Sequence, residues 1–312
     1  MRRSAFLLPM LLVVVIATCG GRQRDWPMTQ EQLKVLKAMP RAERDRWFAG
    51  LRLPEYEAHR RVGVIRIDGV LNEPAWRKAE RVTLQQGELG GPVHYATHVR
   101  MLWDDEAIYL AFECDDPDVH QPLTRHDDPL WQHDLVEVFI DPNGDGACYM
   151  ELHVAPSGAT ADSIYADFSP DADWFAVPNW ERFVDGTNNT AFDAPGVTAV
   201  VDVDGTLNQH NDTDQGYIVE WRIPYTDLTR FMPDPAKSLH KIDVSLFERR
   251  PVERPKVGTV WRMNFNRCDD SIKRTGKNAK GEVVSVPEYS AWAPTTGSFH
   301  MPFLFGRVTF VE

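Results

Sequence analysis

The stretch LVEVFIDPNGDGACYMELHV, from Leu135 to Val154, constrains the fold more than any other. Val136, Val138 and Ile140 alternate with Glu137, Phe139 and Asp141. Met150, Leu152 and Val154 alternate with Tyr149, Glu151 and His153. Successive side chains on a strand point to opposite faces, so period two across a turn of Asp, Asn and Gly predicts a β-hairpin with one apolar face. Glu137 then sits on the second, polar face, opposite or diagonal to Glu151 and His153.

The same period recurs from about Arg61 onward. ATHVRMLW and AIYLAFEC flank the turn DDEA, which places Val99, Met101 and Trp103 on a core face with Ile108, Leu110 and Phe112. Arg100 and Glu113 share the opposite face. GVTAVVDV, YIVEWRIP, KIDVSLFERR, TVWRMNFNR and FGRVTFVE read as further strands, with Trp103, Trp221 and Trp261 in the core. Many short strands, turn-rich spacing and few helices predict an all-β, antiparallel β-sandwich over residues 61–312. Residues 156–196, which include Trp174 and Trp180, form a long loop excursion.

Before this domain the pattern is different. Residues 1–19 have Arg2 and Arg3, a short apolar run and small residues around Cys19, the layout of an export signal with a lipidation site at Cys19. Thr18 departs from the usual small residue before a lipidated cysteine, so plain cleavage and secretion is the alternative. The expected location is outside the cytosol, as a periplasmic or outer-membrane lipoprotein or a secreted protein. No other stretch has the length and apolarity of a membrane span. Residues 20–60 read as a helical spacer, with a lid on the next domain as the alternative. Thr29 and Gln32 make a capping box, and Trp47, Phe48 and Leu51 give a narrow apolar stripe. The net charge of −12 and the lack of a basic stripe argue against a nucleic-acid partner. Cys114, Cys148 and Cys268 remain after Cys19, and the sequence does not choose a disulfide among them.

IDGVLNEPAW, LWDDEAIYLAFECDDPDV, LWQHDLVEVFIDPNGDGACYMELHVAPSG, VEWRIPYTDL, VWRMNFNR and AWAPTTGSFHMPFLFGRVTF occur in the order found in family 9 carbohydrate-binding modules. From about Val62 to Glu312 the chain resembles that family. The resemblance implies a β-sandwich that holds a sugar end between two tryptophans, with a carboxylate and amides bonding its hydroxyls. Trp131, six residues before Glu137, matches the first ring and its carboxylate, and Trp292 matches the second ring. It also implies structural Ca2+ in several members. DPNGDG offers oxygens at Asp141, Asn143 and Asp145, although a plain hairpin turn explains the same residues.

Arg125, Asp134, His153 and His300 join the candidate site on the chemistry of their side chains and their expected placement. The expected function is carbohydrate binding by an exported, non-catalytic module that takes a poly- or oligosaccharide. One rival is a glycosidic-bond hydrolase using Glu137 and Glu151, which for retention need to be roughly 5 Å apart. Another is a haem-binding sandwich of the related DOMON type, with Met150, Met263 or Met301 as axial ligand. The third is a structural surface protein. His98, His120, His126, His133 and His300 show no metal-ligand spacing along the chain.

Overall fold

The computed structural model describes residues 27–144, 146, 149–165, 188–189, 192–232, 248–277, 283–296 and 298–312. The export segment with Cys19, the loop carrying Trp174 and Trp180, and the residues Asp145 and Cys148 lie outside these. No helix among the described residues is long and apolar enough to cross a membrane.

Two helices, α1 (Gln30–Ala38) and α2 (Arg41–Phe48), precede the strands. The strands are β1 (Glu55–Arg60), β2 (Val82–Thr83), β3 (Gln85–Gln86), β4 (Thr97–Trp103), β5 (Ala107–Asp115), β6 (Leu135–Asp141), β7 (Tyr149–Val154) and β8 (Thr160–Tyr165). They continue as β9 (Asn188–Asn189), β10 (Thr198–Asp204), β11 (Gly216–Pro224), β12 (Thr229–Met232), β13 (Glu248–Pro251), β14 (Val260–Lys277), β15 (Val283–Ala291) and β16 (Gly306–Val311). The main sheet runs β10-β11-β5-β4-β1-β16-β14-β6-β7-β8-β9, with β15 beside β14.

This sheet curls over on itself. Val99, Met101, Leu110, Phe112 and Val219 from one half enclose a single core with Val136, Val138, Ile140, Leu152 and Phe265 from the other. The Phe112 and Phe265 ring centroids meet across it at 6.3 Å. The sandwich and its apolar faces are as the alternation predicts. Val99 pairs with Phe112, Met101 with Leu110 and Trp103 with Ile108. Trp103, Trp221 and Trp261 are buried, and Arg100 donates to Glu113 on the other face. The Asp68-Gly69 turn is tied down by Glu220, which accepts both their N–H groups and the indole N–H of Trp76.

Two features differ from the sequence reading. The sandwich is antiparallel except at β1, which lies parallel to both β16 and β4. The boundary at residue 61 is corrected accordingly, because β1 closes the sheet between its two halves. The helical segment is also not a free spacer. The capping box of Thr29 and Gln32 forms as expected. Leu36, Trp47, Phe48 and Leu51 then pack with Met301 and Leu304, so the apolar stripe is spent on the sandwich itself.

Candidate functional site

The polar face of the β6–β7 hairpin is the centre of the site. Glu137 pairs with His153 across the ladder, Phe139 with Glu151, and Asn266 of β14 lies opposite Glu137 on the other side. The Nε2 of His153 stands 3.0 Å from Glu137 Oε2 and 3.1 Å from Glu151 Oε1. Tyr165 donates its hydroxyl to Glu151 at 2.7 Å. The Tyr149 hydroxyl and His300 Nδ1 are 2.7 Å apart, and His300 lies 4.6 Å from the Tyr165 ring. Glu137, His153 and His300 thus belong to one network.

Burial and mutual charge set its electrostatics. Burial alone would lower His153, but the Glu151 charge and the contacts with Glu137 and Glu151 hold it up at about 10. Burial alone would raise Glu151, and the His153 charge overrides it, leaving the carboxyl at about 2. Burial pushes Glu137 upward against the pull of His153. An imidazolium held between two carboxylates accounts for these directions. The Asn266 side chain also bonds to Glu137, and His153 Nδ1 is buried with no hydrogen-bond partner among the described residues. Buried polar groups are almost always paired, and here Glu137, Glu151, His153 and Asn266 from three adjacent strands pair with one another as a polar floor.

Access is limited. Glu137 is only 2% exposed. Among the described residues, Phe299 and His300 pack over the aromatic end of this face, against Phe139 at 6.5 and 5.3 Å. Tyr289 of β15 is 37% exposed and lies edge-on to Phe299 at 5.6 Å. It pairs with Cys268, which places it on the same face. Sequence reasoning missed Tyr289 and Asn266, because register across β14 is not visible in local pattern.

The two tryptophans part company. Trp131 stands on the short 3-10 turn Leu130–Gln132 just before β6 and is 50% exposed, while its neighbour Leu130 is sealed beneath. Trp292 is 4% exposed and sits in the core, its ring 5.2 Å from Phe265 and 6.2 Å from Tyr56. The expected slot with an open ring on each side is therefore corrected: Trp292 is a core ring whose edge borders a cleft of about 320 Å³ beside Arg52 and Gln85. The physical reason is local. β15 runs on to Ala291, and Asn264 pins Ala293 through both its amide N–H and its carbonyl, which draws the intervening indole inward.

The other candidates have different duties. Arg125 is an exposed partner of Asp128 and touches nothing else of the network. Asp134 is fully buried and accepts the backbone N–H groups of His120 and Asp270, a structural role. Asp141 spends its carboxylate on the N–H groups of Gly144 and Gly146. That is the hydrogen-bonding of a tight Asp-Asn-Gly turn, and Asp145, the third oxygen donor of the expected Ca2+ loop, lies outside the described residues. Met150 and Met263 lie in the core, and Met301 accepts from the Thr296 hydroxyl, which leaves no open axial ligand for a haem among them. Cys114 and Cys268 are buried free thiols.

Comparison with known proteins shows what these elements are similar to. Residues 67–156 match the model described as carbohydrate family 9 binding domain-like. Over 235 residues, 74% of its length, the chain is 24% identical to endo-1,4-beta-xylanase A of Thermoanaerobacterium saccharolyticum. Over 163 residues, 52% of its length, it is 26% identical to exoglucanase XynX of Acetivibrio thermocellus. It spans only 14% and 12% of those relatives. A crystal structure of a putative carbohydrate-binding protein from Bacteroides uniformis superposes with a TM-score of 0.52 at 15% identity, covering 83% of this chain and all of that one. That likeness supports the fold.

Proposed function

Because the chain carries a domain like the family 9 carbohydrate-binding modules, we propose that it is an exported module that binds a poly- or oligosaccharide on the β6–β7–β14 face. The observation that carries this reading is the buried polar floor of Glu137, His153 and Asn266, on a strand that the turn bearing the exposed Trp131 leads into. A sugar offers C–H groups on its faces and hydroxyls around its edge. The first suit a flat indole, the second an ionised carboxylate and an amide. Glu137 and Asn266 bond hydroxyls when the Phe299–His300 segment lifts from Phe139, and Trp131 with Tyr289 supplies the apolar contact.

A glycosidic-bond hydrolase needs a protonated carboxyl and a second carboxylate facing a substrate. Here both carboxylates of the pair grip a single imidazole. Export, with or without a lipid on Cys19, fits the N-terminal sequence and belongs to the same proposal.

Isothermal titration with xylo- and cello-oligosaccharides tests it. The expected result is modest affinity that falls about two- to tenfold in Trp131→Ala, the scale of one lost stacking contact of about 0.5–1.5 kcal/mol. No heat with any oligosaccharide, or unchanged affinity in Trp131→Ala, contradicts it.

A further inference from the structure

The structure brings together histidines that are far apart in sequence. His120, in the segment before the Trp131 turn, and His133, at the end of that turn, both point Nδ1 at one oxygen of Asp270 on β14. The distances are 2.9 and 3.1 Å to Asp270 Oδ2. The two imidazoles meet edge to face with centroids 4.8 Å apart. One donor atom from each of the three residues lies within 4.8 Å of the other two. Their side chains are 20%, 24% and 13% exposed, so the cluster is shielded but open on one side.

The cluster is also held from behind. Buried Asp134 accepts the backbone N–H of His120 through one oxygen and that of Asp270 through the other, both at 2.6 Å. Its own N–H donates to the His120 carbonyl, and it directly follows His133 in the chain. One carboxylate therefore fixes the backbones of two candidate ligands and adjoins the third. This is the pre-organisation a metal site requires.

We propose that His120, His133 and Asp270 bind one divalent transition-metal cation of the zinc class, with the remaining positions open to water. Two imidazoles and one carboxylate suit zinc, nickel or copper better than calcium or magnesium, which take oxygen donors. Ligand bonds of about 2.0–2.2 Å need only a slight opening of the present contacts. An ionised carboxylate only accepts, so in the metal-free chain both Nδ1 atoms donate to Asp270. Metal binding at those nitrogens requires each to be free of its hydrogen, which passes to Nε2 or to solvent.

The test is a titration of the full chain, stripped with chelator and free of sugar, with Zn2+ by calorimetry and with Co2+ by visible absorption. One equivalent of Zn2+ is expected, with a Co2+ spectrum of low-coordinate type. His133→Ala and Asp270→Asn each weaken Zn2+ by at least about tenfold, in keeping with loss of a ligand or its support. Circular dichroism checks that each variant keeps its fold. Asp127→Asn, in the separate group of His126, Asp127 and Asp162, leaves binding unchanged. Absence of Zn2+ binding, unchanged binding in both ligand variants, or a loss in Asp127→Asn overturns the proposal. Since no sugar is present, none of these outcomes bears on carbohydrate binding.

Discussion

Arg267 ties the sheet's two halves together from within the core. It is 1% exposed on β14 and pairs with Asp116 at 2.7 Å and Asp269 at 3.2 Å. It also donates to the Thr97 hydroxyl and the Asp115 carbonyl on the facing half. Removing one partner of a buried ion pair leaves the other charge uncompensated. Arg267→Met is expected to cost about 3–5 kcal/mol of stability, read as a lower midpoint in urea unfolding. Trp292 supplies a second residue-scale prediction. A Cβ added at Gly306 would lie 2.2 Å from the Trp292 ring. Gly306→Ala therefore forces overpacking that costs about 1–3 kcal/mol, visible as a lower melting temperature. Neither contact is legible from sequence. Arg267 reads as a strand residue of either face, and Trp292 looks exposed because Pro294 follows it. Only the pairing of β14 with β6 and β15 decides both.

At the scale of elements, the hairpin was legible because its alternation is strict and its turn has Asp, Asn and Gly where the chain reverses. Alternation also put Glu137 opposite or diagonal to Glu151 and His153, and it pairs with His153. It gave no measure of how far that polar face is covered. Phe299 and His300 come from a loop far along the chain, and their packing on Phe139 is a tertiary event. The charged triad of this hairpin gives a pH signature. His153 is raised from 6.5 to about 10, so its contribution is fully present below pH 6.5 and is lost as pH rises toward 10. Glu151 is lowered from 4.5 to about 2, so its contribution is present above pH 4.5 and is lost as pH falls toward 2. The contribution of this His153–Glu151 pair, read as the difference in unfolding midpoint between the chain and His153→Gln, is expected to be greatest between about pH 4.5 and 6.5 and to shrink on both sides. A difference that does not change with pH would show that the triad does not carry it.

For the whole molecule, the class of fold followed from period two and turn chemistry, and its closure did not. β1 joins the halves by parallel pairing with β16 and β4, a contact between the start and end of the chain that local pattern does not report. Residues 27–60 are accordingly part of the folded unit. A chain shortened to begin at Val62 is expected to lose cooperative unfolding, because β4 and β16 gain bare edges and the core opens between them. One beginning at residue 52 keeps β1 and should fold with reduced stability, having lost the cover of Met301 and Leu304. The most direct measurement of the account is a crystal structure of the chain with a bound oligosaccharide. It should show hydroxyls bonded to Glu137 Oε1 and the Asn266 amide, a sugar ring against Trp131, and Phe299 and His300 displaced from Phe139. A sugar bound elsewhere, with this face closed, would contradict it.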